Sequence, residues 1–208
     1  TGAQANFRQN AERKGQSGWL VNLEFPSYYP ILTYADNRAL REELYRAYST
    51  RASDIGANAD KWNNLPLMEE ILQLRHEKAQ LLGFANFAEL SLATKMAGST
   101  EEVMDFLNDL AHRAKPRAEQ DLAELQAFAR HEYGMTELAA WDIGYYAEKL
   151  RQERYQVSQE DLRPYFPADR VIAGLFEVVK RLFGLNIREV KGVDAWHPDV
   201  RFYTITDA

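Results

Sequence analysis

No cysteine occurs among the 208 residues, which excludes disulfides and thiolate metal sites and fits a reducing compartment. No apolar run reaches the roughly 18 residues that a membrane-spanning helix needs. Basic residues are outnumbered: 25 Lys and Arg against 31 Asp and Glu leave a net charge of -6, so the broad cationic face of a general nucleic-acid binder is missing. There are only four histidines, and no Gly-x-Ser-x-Gly or phosphate-cradling glycine loop. No methionine or basic-then-apolar leader opens the chain at Thr1, and "RFYTITDA" closes it in a strand-like run. Both termini read as interrupted, and the expectation is an excised piece of a longer protein.

What is present is an ordinary globular mixture, 46% hydrophobic and 27% charged, in a chain long enough to bury a core. Residues 3–14 read as a helix stopped by Gly15. In "GWLVNLEF", Trp19, Val21, Leu23 and Phe25 alternate with Leu20, Asn22 and Glu24, a strand period. Pro26 and Pro30 bracket a loop, and "ILTYA" reads as a second short strand. From Asp36, a suitable N-cap, helical spacing places Leu40, Leu44, Ala47 and Tyr48 on one face.

Further helices follow over 64–82, with Pro66 in the first turn and a Met68, Ile71, Leu72, Ala79, Leu82 stripe, and over "NFAELSLATKMA" to Gly98. Ser99 and Glu102 form a capping-box pattern opening a helix to Tyr133, kinked or split by Pro116. Helices are also predicted over 142–155, from Ser158 or Asp161, and through "RVIAGLFEVVKRLFG" to Gly184. "LNIREV" and "DVRFYTIT" read as strands separated by "KGVDAWHP". The fold class is mainly α: one multi-helix lobe over 1–208 with short β elements near both ends, at about 18–35 and 185–206.

"RHEYGM" begins like a zinc-protease helix, in which two histidines four residues apart share one face. Here Met135 stands four residues after His131, beyond Gly134, and Gln80 stands four after His76. Both histidines read as surface residues beside Arg130/Glu132 and Arg75/Glu77. Glu101, Asp105, Asp109 and His112 follow a helical stripe, and Asp109-x-x-His112 suggests half of a carboxylate-bridged dimetal site. The second half, a Glu-x-x-His, is missing, so a solvated helix face explains the stripe. Two patches remain as candidate cleft walls: Asp142, Tyr145 and Tyr146, with Glu148, on one helix, and Trp196, His197 and Arg201, with Pro198 and Asp199, before the last strand.

Five phrases resemble, in order and spacing, the thimet-type zinc oligopeptidases: "PSYYPILTYADNRALREELYRAYSTRAS", "MEEILQLRHEKAQLLGFANFAELSLATKMA", "WDIGYYAEKLRQ", "LRPYFP" with "GLFEVVKRLFG", and "DAWHPDVRFY". The resemblance implies a cytoplasmic zinc-dependent endopeptidase that cuts short peptides in a channel between two helical lobes. It places the family's His-Glu-x-x-His helix and glutamate ligand on the C-terminal side of the "WHPDVRFY" strand, outside these 208 residues. No catalytic residue or metal ligand is therefore carried onto this chain, and "RHEYGM" is a coincidence on a scaffold helix.

The expectation is a piece inactive by itself, binding no metal, that forms scaffold and channel wall. Zinc, short-peptide substrates and a C-terminal catalytic part would belong to the complete parent, with no nucleic-acid or membrane partner. Asp142, Tyr145, Tyr146, Trp196, His197 and Arg201 are the candidate wall residues. The alternative is a stand-alone, non-catalytic helical module that binds peptide or protein.

Overall fold

The computed structural model describes residues 2–157 and 159–207, so the predicted start at Ser158 lies outside the described residues. Helices dominate, as the sequence predicts. They are α1 (Gly2–Arg13), α2 (Phe25–Tyr34), α3 (Arg38–Ser49), α4 (Ala59–Trp62), α5 (Leu65–Leu81), α6 (Phe87–Leu92), α7 (Thr100–Tyr133), α8 (Ala140–Tyr155), α9 (Gln159–Leu162) and α10 (Ala168–Phe183). Strands β1 (Asn186–Val190) and β2 (Phe202–Thr206) complete the chain. Two compact units result, one ending at Gln156 and one beginning at Val157.

The first unit is built around two apolar clusters. Phe7 of α1, Ile31 of α2 and Leu44 of α3 form one, against which Val21, Leu23, Tyr28 and Leu40 pack. Leu125 and Ala129 of α7 meet Tyr145 and Tyr146 of α8 in the other, with Met135, Leu138, Ile143 and Leu150 around them. Here the predicted N-terminal β elements are corrected. Residues 31–34 belong to α2, and 18–24 form no strand.

Proline explains the helix. Pro26 occupies its first turn, where a fixed φ is favourable and the missing N–H has no partner to lose. Ser27 and Ile31, four residues apart, are both buried, and Phe25 stacks on Tyr29 at 5.0 Å between centroids. In 19–24 the alternation does send Val21 and Leu23 inward, and Leu20 N–H donates to Phe7 O at 3.0 Å. Among the described residues no strand pairs with this segment, so it forms no ladder.

The other boundaries follow local chemistry. Asn37, not Asp36, caps α3: its side chain accepts from Leu40 N–H at 3.1 Å. Helix α6 ends at Leu92, short of the predicted run to Gly98. Helix α7 continues through Pro116 as one 34-residue element, so no split occurs there. It starts where Ser99 accepts from Glu102 N–H and Glu102 accepts from Gly98 N–H. It stops at Gly134, whose φ of 66° is the left-handed conformation that favours glycine. Gly134 N–H then reaches Arg130 O and Met135 N–H reaches Ala129 O, closing the helix end.

In the second unit α10 ends at Gly184, again at positive φ, and feeds β1. Strands β1 and β2 pair antiparallel in the register Asn186↔Thr206 to Val190↔Phe202, as "LNIREV" and "DVRFYTIT" predict. Phe176 of α10 meets Tyr203 of β2 edge-on at 5.0 Å.

Candidate functional site

Asp142 is at the centre of the first unit's polar chemistry. It lies in the first turn of α8, where an acidic residue complements the helix dipole, and it reaches back to accept from Ala139 N–H at 3.0 Å. Two arginines one turn apart on α3 converge on the same carboxylate. Arg38 donates from Nε at 3.0 and 3.1 Å and from Nη2 at 2.7 Å, while Arg41 donates from Nη2 to Oδ1 at 2.9 Å. The Asp142 side chain is wholly buried, and that of Arg41 is 1% exposed.

Three further hydrogen bonds of Arg41 go to backbone carbonyls. Nε reaches Trp141 O at 3.2 Å, and Nη1 reaches Ala35 O at 2.7 Å and Asp36 O at 3.4 Å. Its guanidinium also lies 4.1 Å from the centre of the Tyr145 ring. Burial alone would raise the Asp142 pKa. The hydrogen bonds from Arg38, Arg41 and Ala139 outweigh it, and the carboxyl is held below the ordinary range.

A second link joins the same elements. Tyr145 donates its phenol hydrogen to Asp36 Oδ1 at 2.6 Å, with Lys149 Nζ 3.6 Å from the same oxygen. The Tyr145 hydrogen bond, then the Lys149 charge, lower the Asp36 pKa. Burial, reinforced by the Asp36 bond and charge, raises that of Tyr145, so the phenol stays neutral. Burial likewise raises Tyr146, whose ring meets Tyr145 and Tyr133 edge-on at 5.1 and 5.3 Å. Glu148 is held by Arg151 at 2.8 Å and Gln152 at 2.7 Å.

The helical spacing therefore gathers Asp142, Tyr145 and Tyr146 correctly, but the structure places all three in the interior. Asp142 is saturated by cationic and backbone donors, and the Tyr145 hydroxyl is committed to Asp36. This arrangement fixes helices and does not present an acid, base or oxyanion donor to solvent. Arg38, Arg41, Asp36 and Lys149 escape sequence reading as members. The one available signal is that Arg41 stands three residues before Leu44 and seven before Tyr48, on the inward side of α3.

In the second unit, Trp196, His197 and Arg201 lie together in the β1–β2 connection, around an open pocket of about 460 Å³ that Glu189, Lys191 and Phe202 also line. Trp196 is 87% exposed. His197 Nδ1 accepts from Asp199 N–H at 3.2 Å, and Arg201 lies 3.4 Å from Asp169 of α10. Hydrogen bonding to Tyr203, then to Asp169, raises the Arg201 pKa.

The other histidines are on exposed helix faces. His131 pairs with its neighbour Glu132, and Asp109 beside His112 is taken by Arg113 at 2.8 Å. Met135 lies beyond the end of α7 and packs into the Tyr145–Tyr146 cluster. Among the described residues no three His, Asp or Glu side chains come together to hold a metal ion.

The model for peptidase family M3 matches residues 31–208. This chain belongs to peptidase family M3. Oligopeptidase A of Salmonella typhimurium is 58% identical over 205 residues, covering 99% of this chain and 30% of the relative. Oligopeptidase A of Escherichia coli shows the same identity and coverage. Dipeptidyl carboxypeptidase of Escherichia coli is 32% identical over 199 residues, covering 95% of this chain and 29% of the relative. The M3 chain thus spans about 30% of the length of these curated relatives.

Proposed function

We propose that this chain is part of the helical scaffold of a zinc-dependent oligopeptidase that hydrolyses short peptides in the cytoplasm. The observation that carries the reading is the M3 match across residues 31–208, with relatives named oligopeptidase A at 58% identity.

A zinc site needs three or four converging His, Asp, Glu or Cys side chains. The side chains present do not fit one, because no trio of suitable ligands converges among the described residues. In this reading the metal ligands and the general base lie elsewhere in the parent polypeptide, and no catalytic step is assigned to this chain. Trp196, His197 and Arg201 face the peptide channel. Asp142, Tyr145 and Tyr146 hold its wall from within, by fixing α8 to α3 and to the turn before it. No described helix is long and apolar enough to cross a membrane.

The test is hydrolysis of a quenched fluorescent peptide, with zinc, by the 208-residue chain and by the full polypeptide that contains it. Chelator-sensitive cleavage by the full polypeptide alone is the expected result. Cleavage by the isolated chain would overturn the scaffold assignment, and a full polypeptide that binds peptide without cutting it would favour a binding module.

A further inference from the structure

Residues 191–198, in the connection between β1 and β2, all line the open pocket of the second unit. The ladder ends at Val190↔Phe202, and the chain bends at Gly192, whose φ is 77°. Residues 193–195 then run without turn or bend as far as Trp196. Among the described residues, no N–H or carbonyl of 192–196 is hydrogen-bonded within the protein. None of the five is proline, so each brings one main-chain donor and one acceptor to the stretch. Ala195 is half-buried and the other four are exposed, which leaves the stretch open to approach from solvent.

The side chains around it narrow the chemistry of what it can take. Trp196 offers a largely exposed ring, a rigid apolar face with a polar edge. His197 is fixed in a turn: Nδ1 accepts from Asp199 N–H, and its carbonyl accepts from Val200 N–H at 3.1 Å. In the neutral ring the hydrogen is therefore on Nε2, which is left as a donor. Around the rim stand two cations, Lys191 and Arg201, and two anions, Glu189 and Asp194. Such a balanced rim gives no net attraction to a lone phosphate or a lone cation. It suits a dipolar ligand that donates and accepts along its length.

We infer that the 192–196 stretch pairs main chain to main chain with a short peptide in extended conformation, one of whose side chains lies on the Trp196 ring. The straight run of three residues spans about 10 Å, enough to pair with a peptide of three or four residues. Pairing through the backbone accepts many sequences, because every peptide residue but proline carries the same donor and acceptor. Trp196 then sorts a single position, favouring an aromatic side chain. The inference rests on the oligopeptidase reading and deepens it, by naming the segment of this chain that touches substrate.

The test titrates the isotope-labelled 208-residue chain with the tetrapeptide Ala-Phe-Ala-Ala and follows the amide signals by NMR. Two further ligands are the same peptide methylated at every peptide nitrogen, which can no longer donate, and tetra-alanine, which lacks the aromatic ring. The variant Trp196→Ala is titrated with both unmethylated peptides, and unshifted signals outside the connection check its fold. In parallel, cleavage of Ala-Phe-Ala-Ala by the full polypeptide that contains this chain is measured.

The expected result is a saturable shift of the 192–197 amides by Ala-Phe-Ala-Ala, with the methylated peptide at least tenfold weaker. Wild type should prefer the phenylalanine peptide over tetra-alanine at least threefold, and Trp196→Ala should lose that preference. Unmoved 192–197 signals, or equal binding of the methylated peptide, would overturn the main-chain site even where the full polypeptide cleaves the peptide. An undiminished preference in Trp196→Ala would overturn the role of the ring. Failure of the full polypeptide to cleave would instead strike the peptidase reading, and the assignment of the bound peptide as substrate with it.

Discussion

Arg41 and Asp142, 101 residues apart in sequence, meet at 2.9 Å with both side chains almost completely removed from solvent. The pair is the polar centre of the first unit. Its energetic weight lies in what either partner would suffer alone.

Asp142→Ala leaves the Arg41 guanidinium buried without its counter-charge, and the expected loss is about 3–5 kcal/mol. Arg38→Ala removes a side chain that is 46% exposed, and about 1 kcal/mol is expected. Urea denaturation followed by circular dichroism measures both. Equal losses would show that the buried partner is no more important than the half-exposed one.

Stability should fall in acid. Asp142 and Asp36 have depressed folded-state pKa values, so the unfolded chain takes up protons first as pH drops. Their contribution is complete above the unfolded carboxyl value of about 4 and is lost as pH falls through the lower folded values. Tyr145 acts at the other end. Its raised pKa makes its contribution complete below about 10 and progressively lost above it, because the unfolded phenol ionises first. Urea midpoints between pH 2 and 11 should therefore decline at both extremes, and Tyr145→Phe should flatten the alkaline decline.

Tyr145→Phe also isolates one hydrogen bond. The ring can remain over Arg41, while Asp36 loses its phenol donor. A cost of about 1–2 kcal/mol is expected, together with a rise of the Asp36 pKa toward the ordinary carboxylate value. Carbon-detected NMR titration of Asp36 reads the second effect independently of stability.

Two helix ends should respond oppositely. A Cβ on Gly134 would meet nothing within 4 Å, so Gly134→Ala costs only its left-handed backbone, about 1 kcal/mol. Gln156 ends α8 with φ of 53°, bearing a side chain where glycine is favoured, and Gln156→Gly should gain up to about 1 kcal/mol. Thermal melts of the two variants should move in opposite directions.

Long, locally specified elements are legible in the sequence. Ser99 and Glu102 open α7, Gly134 closes it, and alternation in "LNIREV" and "FYTIT" marks the paired strands. Residues 18–35 mislead because strand alternation needs a neighbour that the fold does not supply, and because proline in a first helical turn resembles loop punctuation. Asp36 and Asn37 are equally good caps in isolation. The choice is made by Tyr145, 109 residues away, which occupies Asp36. The Asp142 cluster shows the same division. Its members on α8 follow from spacing, whereas Arg38 and Arg41 are contributed by a different helix that no local pattern connects to it.

The separation of Arg41 from Asp142 also orders events on the ribosome. At about 5–20 residues per second, α3 emerges some 5–20 s before its acidic partner has been made. Through that interval the Arg41 guanidinium has no buried counter-charge and is expected to stay hydrated, although the Phe7–Ile31–Leu44 cluster needs no residue of α8. Translation of α8 supplies the carboxylate that lets Arg41 be buried.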